Sequence, residues 1–376
     1  MEDLATLRQS SVPPRTAYLG PEASFSHQAA IAAVSSTEAY PLSSFTSIFS
    51  ALQTEPAEPH QHFDFAVLPV ENSTNGSVVQ ALDLLAKCGL EDETSLYPDI
   101  EVVDEHYLQV HHCLFVSRRW AEHVLSREEM KRLSTHDTVS ISPDVLQILG
   151  KLQIASIYSH PQVWGQCNNF LSRYLPPGRV ERIDTSSTSA AASFVATSFP
   201  PTSDLKVLDT PCAAICSILA GQRNTDLLLI ASNIEDEPGA NTTRFLVLRN
   251  RNSPTQVRDL QSQLLANHTD VKELKSIIAF TTAHDKIGSL HQALAIFGEL
   301  GFNLCAIQSR PRPRPRPSST QVMNTSLDRN WKYVFFVECL WTAEGSDFDL
   351  LTSRLKEVCE NVRVLGSWKD RTPRTT

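Results

Sequence analysis

Four stretches of the chain concentrate Asn, Ser, Thr and Gly where apolar runs give way to helical spacing. They are LGPEASFS (19–26), PVENSTNGSV (69–78), DTSSTSAA (184–191) and GANTTRF (239–245). Backbone N–H groups left free at a helix start, flanked by hydroxyls, make a natural anion site. The same residue types cap helices in any protein, so one such stretch says little. Four in one region, one of them carrying an arginine, point to a small anionic ligand.

Other chemistries lack their residues. There is no GxGxxG, GxxxxGK[ST], GxSxG or HExxH. His111 and His112 are adjacent in a strand-like run, which sends their side chains to opposite faces and argues against a metal pair. His160 precedes a helix starting at Pro161 and reads as structural. The eight cysteines include no CxxC pair and read as buried thiols. No cofactor and no metal are expected, and any reaction should rest on hydrogen bonds and one or two charges.

The elements that position these stretches follow from composition and pattern. The 376 residues are 41% hydrophobic and 20% charged, enough for two or three folded domains. A net charge of -9 leaves no basic surplus for a nucleic-acid face. No 18-residue apolar run and no secretory signal are visible, so no membrane partner is expected and a cytoplasmic location is. Up to about residue 231, strands (16–19, 63–70, 227–231) alternate with helical spacing (26–34, 77–87, 161–175, 189–197, 211–221), which implies an α/β sheet. A polar linker with a helix at 257–266 follows. Residues 276–281, 303–307, 333–340 and 362–365 then read as strands and 290–300 and 348–358 as helices, the βαββαβ order of a ferredoxin-like unit.

Taken in order, AYLGPEASFSHQAA, LPVENSTNGSV, HPQVWGQC, TSSTSAA and NTTRF resemble prephenate dehydratase. The tail, DKIGSLHQALAIFGELGFNLCAIQSRP, WKYVFFVE and VRVLGSW, resembles that family's regulatory ACT domain. The resemblance covers roughly residues 15–370. It implies decarboxylating dehydration of prephenate to phenylpyruvate in phenylalanine biosynthesis, with feedback by phenylalanine.

The implied fold is a two-lobed catalytic domain like a periplasmic binding protein at 15–250, with lobes of about 15–105 plus 212–250 and 106–211. A linker at 251–273 and an ACT domain at 274–370, with an insertion at 312–330, complete the chain. A homodimer or homotetramer is implied. Only about 14 residues precede the first strand, so the chorismate mutase domain some members carry is not expected.

The family's TRF motif maps onto Thr243, Arg244 and Phe245 as the catalytic group. Thr243 would donate a hydrogen bond to the departing hydroxyl, Arg244 would anchor a substrate carboxylate or brace the loop, and Phe245 would shape the wall. Ser24, Asn72, Ser73, Thr74, Gly76, Thr185, Ser187, Thr188 and Asn241 would line the substrate, with Gly76 opening a helix. Glu71, a negative charge beside a dianion, should point away and hydrogen-bond backbone.

Departures from the family pattern fall at Ala23 and Ser24, in place of Gly-Thr, and in the effector stretches. Gly288, Ser289 and Leu290 stand for Gly-Ala-Leu, and Gln308, Ser309, Arg310 and Pro311 for Glu-Ser-Arg-Pro. In the family these stretches, with residues such as Asn303 and Leu304, bind phenylalanine across a dimer interface. Gln308 carries no full charge for the ligand's ammonium group, so weaker or altered inhibition is expected. The alternating prolines of RPRPRPRP (310–317) make the part after Pro311 an extended spacer outside the sheet. Two other readings stay open: an arogenate dehydratase, and a non-catalytic amino-acid-sensing protein.

Overall fold

The computed structural model describes residues 13–54, 62–88, 95–134, 143–198, 211–237, 239–252, 273–283, 285–312, 332–342 and 345–373. The expected helix at 257–266 and most of the Arg-Pro insertion lie outside them.

The chain opens β1 (Arg15–Leu19), α1 (Phe25–Ala33), β2 (Glu38–Leu42), α2 (Phe45–Gln53), β3 (Phe65–Asn72), β4 (Gly76–Ser77), α3 (Val79–Leu85) and β5 (Ile100–Gln109). It then crosses to β6 (Cys113–Ser117), α4 (Arg118–Val124), α5 (Arg127–Ser134), α6 (Pro143–Leu152), β7 (Ser156–Ser159), α7 (Pro161–Gln166), α8 (Asn168–Tyr174), β8 (Glu181–Asp184), α9 (Thr188–Thr197), β9 (Cys212–Cys216), α10 (Ile218–Arg223) and β10 (Leu227–Ala231). It crosses back for β11 (Thr242–Asn250), and ends with β12 (Glu273–Thr281), α11 (Ser289–Glu299), β13 (Asn303–Pro311), β14 (Tyr333–Thr342), α12 (Phe348–Val358) and β15 (Asn361–Lys369).

Three sheets result. The first runs β2-β1-β3-β11-β5 with β4 beside β3, the second β10-β6-β9-β7-β8, and the third β13-β14-β12-β15. The first two are the lobes of a periplasmic-binding-protein-like region, and the third is the βαββαβ unit. The lobe boundary departs from expectation. Residues 211–221 were expected as a helix in the first lobe, but Cys212–Cys216 is the buried central strand of the second sheet, between β6 and β7. β10 pairs with β6, so the second lobe extends to residue 231 and only β11 returns. The helix expected at 161–175 is two, breaking at Cys167.

β11 is the pivot of the molecule because its two faces serve different neighbours. Phe245 and Val247 enter a core with Tyr18, Ala29 and Ala30 on the α1 side. Leu246 and Leu248 enter a second core shared with Ile277, Ala279, Val334, Phe336, Leu365 and Trp368 of the third sheet. The alternation is that of any strand covered on both faces. The C-terminal unit is thus packed on the first lobe's sheet, and so closely that a Cβ on Gly366 would lie 1.9 Å from the carbonyl oxygen of Val102 in β5.

Candidate active site

Strand register sets the centre of the site. Antiparallel pairing of β3 and β11 puts Thr243 opposite Asn72. Asn72 Nδ2 lies 2.9 Å from Thr243 Oγ1 and 2.8 Å from Asn241 Oδ1. The amide orientation is fixed from the other end, because Asn72 Oδ1 accepts the backbone N–H groups of Thr74 at 3.0 Å and Asn75 at 2.9 Å. Asn72 is therefore the donor and the Thr243 oxygen the acceptor, which leaves the Thr243 hydroxyl proton free to point elsewhere. Ser73 completes the junction, its hydroxyl donating to the Ala240 carbonyl at 2.5 Å and accepting from Thr242 N at 2.9 Å. Gly76 takes φ +78° in the tight return to β4; it forms this short strand, and the helix begins only at Val79.

The other stretches sit where ligands usually bind in such sheets, beyond the carboxyl ends of parallel strands. Ser24 caps α1 after β1 by accepting from His27 N at 3.3 Å. Ala23 just before it has φ +60°, a conformation free only to glycine. Its carbonyl accepts the Ser217 hydroxyl at 3.2 Å, a contact between the two lobes. In the second lobe Thr185 and Ser187 lie between β8 and α9, and Thr188 opens α9. Ser187 caps the helix through Ala190 N at 3.0 Å, and Thr185 Oγ1 donates to the Ser187 carbonyl at 2.9 Å. Direct hydrogen bonds thus join the 69–78 and 239–245 stretches, while 19–26 reaches the second lobe through Ser217.

Two segments cross between the lobes, and Glu235 ties them together. Its buried carboxylate lies 2.7 Å from His111 Nδ1 and 3.0 Å from His112 N. His112 Nε2 lies 2.7 Å from Gln166 Oε1, and burial lowers the pKa of His112. The two histidines, expected in a strand, occupy this crossing instead. Gln166 has no assigned role in the HPQVWGQC stretch, and nothing local marks Ser217 or Glu235, whose contacts to Ala23, His111 and His112 span more than a hundred residues.

Arg244 faces away from Thr243, on the opposite side of β11. Nε donates to Glu105 at 2.8 Å, Nη1 and Nη2 donate to the two oxygens of Glu338 at 3.0 and 2.6 Å, and Glu71 stands 3.8 Å off. Burial opposes the charge, but Glu338 and Glu105 hold its pKa above the ordinary arginine value. Of the two roles expected for Arg244, this geometry is that of a brace. Glu71 does point to the face away from Asn72, with this guanidinium as its neighbour in place of the expected backbone. Lys275 of β12 continues the cluster, 2.7 Å from Glu105 and 3.0 Å from Asp370. Phe245, 1% exposed, is core.

The expected effector stretches lie at one end of the third sheet, with Phe335 paired to Phe280 on one side and Ser309 on the other. Gly288, at φ +83°, precedes α11, and Ser289 donates to the Ala283 carbonyl at 2.9 Å, while Leu290 is half-buried. Asn303 and Leu304 are exposed on the edge strand β13. Gln308 Nε2 donates to Ser77 Oγ at 3.1 Å and Arg310 Nε to Asp83 Oδ1 at 2.6 Å. Arg310 and Pro311 belong to β13, so the Arg-Pro run begins inside the sheet.

Residues 16–253 match the family model described as prephenate dehydratase. A probable prephenate dehydratase of Saccharomyces cerevisiae is 32% identical over 339 residues, 86% of each chain. Arogenate dehydratase 2 of Petunia hybrida is 28% identical over 370 residues, 97% of this chain and 74% of its own length. Among solved structures, a prephenate dehydratase from Arthrobacter aurescens in complex with L-Phe aligns with a TM-score of 0.64 at 19% identity, covering 96% of this chain and 92% of that one.

Proposed function

The chain belongs to the prephenate dehydratase family, and on that premise we propose how its own residues carry out the conversion of prephenate to phenylpyruvate in phenylalanine biosynthesis. Prephenate has two carboxylates and a ring hydroxyl. The bond from the ring to its carboxylate breaks and carbon dioxide leaves. That electron pair enters the ring, and the ring carbon–oxygen bond breaks. Hydroxide departs and takes a solvent proton to become water. Aromatisation drives the step, and the protein's task is to orient the substrate and stabilise the departing oxygen.

The observation that carries the assignment is the hydrogen-bond polarity at Thr243. Its oxygen accepts from Asn72, so its proton is available to the leaving hydroxide, and the Asn72 dipole strengthens that donation. Thr243 is a stabiliser of the leaving group rather than a full acid, since a neutral hydroxyl is a weak one. Ser24, Ser73, Thr74, Gly76, Asn241, Thr185, Ser187 and Thr188 bind substrate, with N–H groups and hydroxyls receiving the carboxylates. Phe245 holds the strand from within the core, and Arg244 braces it.

Residues 274–370 are read as an ACT domain. Phenylalanine, bound at 288–290 and 308–311 in a homodimer or homotetramer, inhibits the enzyme. The L-Phe complex of the Arthrobacter protein supports that reading. A cytoplasmic site of action fits a soluble metabolite as substrate. The Petunia relative keeps arogenate as a second substrate.

The test is direct. The purified protein is incubated with prephenate and phenylpyruvate is followed, then with arogenate and phenylalanine is followed. Turnover of prephenate at the higher kcat/KM is expected. Preference for arogenate would reassign the substrate, and no turnover of either would refute the enzyme reading.

A further inference from the structure

Thr243 and Arg244 are consecutive, so the strand sends their side chains to opposite faces. Thr243 meets Asn72, and Arg244 meets Glu338, a residue of β14 in the C-terminal unit. Glu338 supplies both oxygens in a paired, planar contact, the geometry that fixes a guanidinium most firmly. Both partners are largely buried, with side-chain exposures of 9% and 13%.

A third carboxylate competes for the same cation. Glu71 lies 3.8 Å from Arg244 Nη1, is half-exposed, and is the residue immediately before Asn72. It is also the cross-strand partner of Arg244, next to an irregularity in the β3–β11 register between Arg244 and Phe245. While Glu338 holds the guanidinium, Glu71 stays at a distance and Asn72 keeps its place opposite Thr243. Without Glu338, two donor groups of a buried arginine lose their acceptors, and Glu71 is the carboxylate at hand to replace them. Drawing Glu71 inward moves the end of β3 that carries Asn72.

We propose that Glu338 is a positioning residue for the dehydration, supplied by the C-terminal unit and acting through Arg244 to hold Thr243 and Asn72 in register. Gln308, which donates to Ser77 of β4 directly across from Glu71, steadies the same turn from the neighbouring strand of that unit. The C-terminal unit therefore builds the back of the site. The proposal rests on the reading of Thr243 as the leaving-group donor.

The test is a double-mutant cycle on the full chain, with Glu338→Ala, the near-isosteric Glu338→Gln, Thr243→Ala and the combinations. Glu338→Ala is expected to lower kcat about tenfold or more with KM for prephenate within about threefold, as displacement of a positioned group does. Glu338→Gln, which keeps one acceptor, should recover part of the loss, and it serves if the alanine variant does not fold. In the Thr243→Ala background neither change should lower kcat further. The same fold-loss in both backgrounds would overturn the coupling while leaving Thr243 its role. Undiminished kcat in Thr243→Ala alone would remove the Thr243 reading and this proposal with it. A lowered melting temperature with kcat per folded enzyme unchanged would reduce Glu338 to a structural brace and also overturn the proposal.

Discussion

Asn72 donates to the Thr243 hydroxyl oxygen over 2.9 Å, and two backbone N–H groups on its own carbonyl side prevent the amide from turning over. The direction of one hydrogen bond thus decides what the threonine can offer a substrate.

Reversing that direction is the sharpest test of the site. In Asn72→Asp the donor becomes an acceptor, and the Thr243 proton is drawn to the new carboxylate. The expected loss in kcat is about a hundredfold, the size of losing one aimed donor, and no smaller than in Thr243→Ala. Thr243→Ser should keep most of the activity. Steady-state kinetics checks all three, and a fully active Asn72→Asp enzyme would refute the polarity argument.

Gly366 predicts how tightly the C-terminal unit is seated. A methyl group there would meet the Val102 backbone at 1.9 Å, which no side-chain rotation relieves. Gly366→Ala should force the third sheet away from β5 and destabilise the protein by roughly 2 kcal/mol or more, within the range for overpacking. Since the displaced sheet also carries Glu338, kcat should fall too. Thermal unfolding together with an assay reads both, and an unchanged melting temperature would show that the sheets are not in contact there.

Acid should loosen the crossing between the lobes. Burial lowers the pKa of His112 from its ordinary 6.5, against the hydrogen bond to Gln166 and the nearby Glu235 charge, with His111 acting in the same direction as burial. The folded state then holds fewer protons than the unfolded chain. Stability is complete above pH 6.5 and is lost as pH falls from there through the folded value. The slope contributed is at most about 1.4 kcal/mol per pH unit. His112→Asn should flatten the dependence of the melting temperature on pH below 6.5; a profile identical to the parent's would place the titration elsewhere.

Gln308 offers a gain-of-function test of phenylalanine regulation. Restoring the family's charge with Gln308→Glu adds a charge-assisted bond to the ligand's ammonium group. Inhibition should then require roughly five- to tenfold less phenylalanine, the equivalent of about 1–1.4 kcal/mol. Calorimetry and inhibition curves measure it. An unaltered response would mean that the ammonium group does not meet position 308.

Much of this was legible in sequence because local chemistry announced it. Periodicity marked strands at 16–19, 63–70 and 227–231 and spacing marked the βαββαβ unit, but β2, β5, β7, β8 and β11 went unmarked. The segment PCAAICSILAG misled because β9 is buried on every residue. A strand covered on both faces loses its alternation, and a short apolar run then reads equally well as a helix. That one error moved the lobe boundary by twenty residues. The stretches joined at Asn72 and Thr243 stood out through their Asn, Ser and Thr content. The partners of Arg244 did not, since Glu105 and Glu338 are 139 and 94 residues away and nothing local marks either. Long-range charge pairs leave no periodic trace, so the brace emerged only in three dimensions.

The return of β11 to the first sheet also governs the order in which the protein can be built. As the chain leaves the ribosome, all five strands of the second sheet have emerged by residue 231. At that moment β3 and β5 still lack the strand that lies between them, and the first sheet stays open until residue 250 has followed. Such late, long-range closure is slow and leaves strand edges exposed meanwhile. The strand that brings Thr243 to Asn72 is therefore the keystone of assembly as well, and the Asn72–Thr243 hydrogen bond comes into being only when the lobe closes.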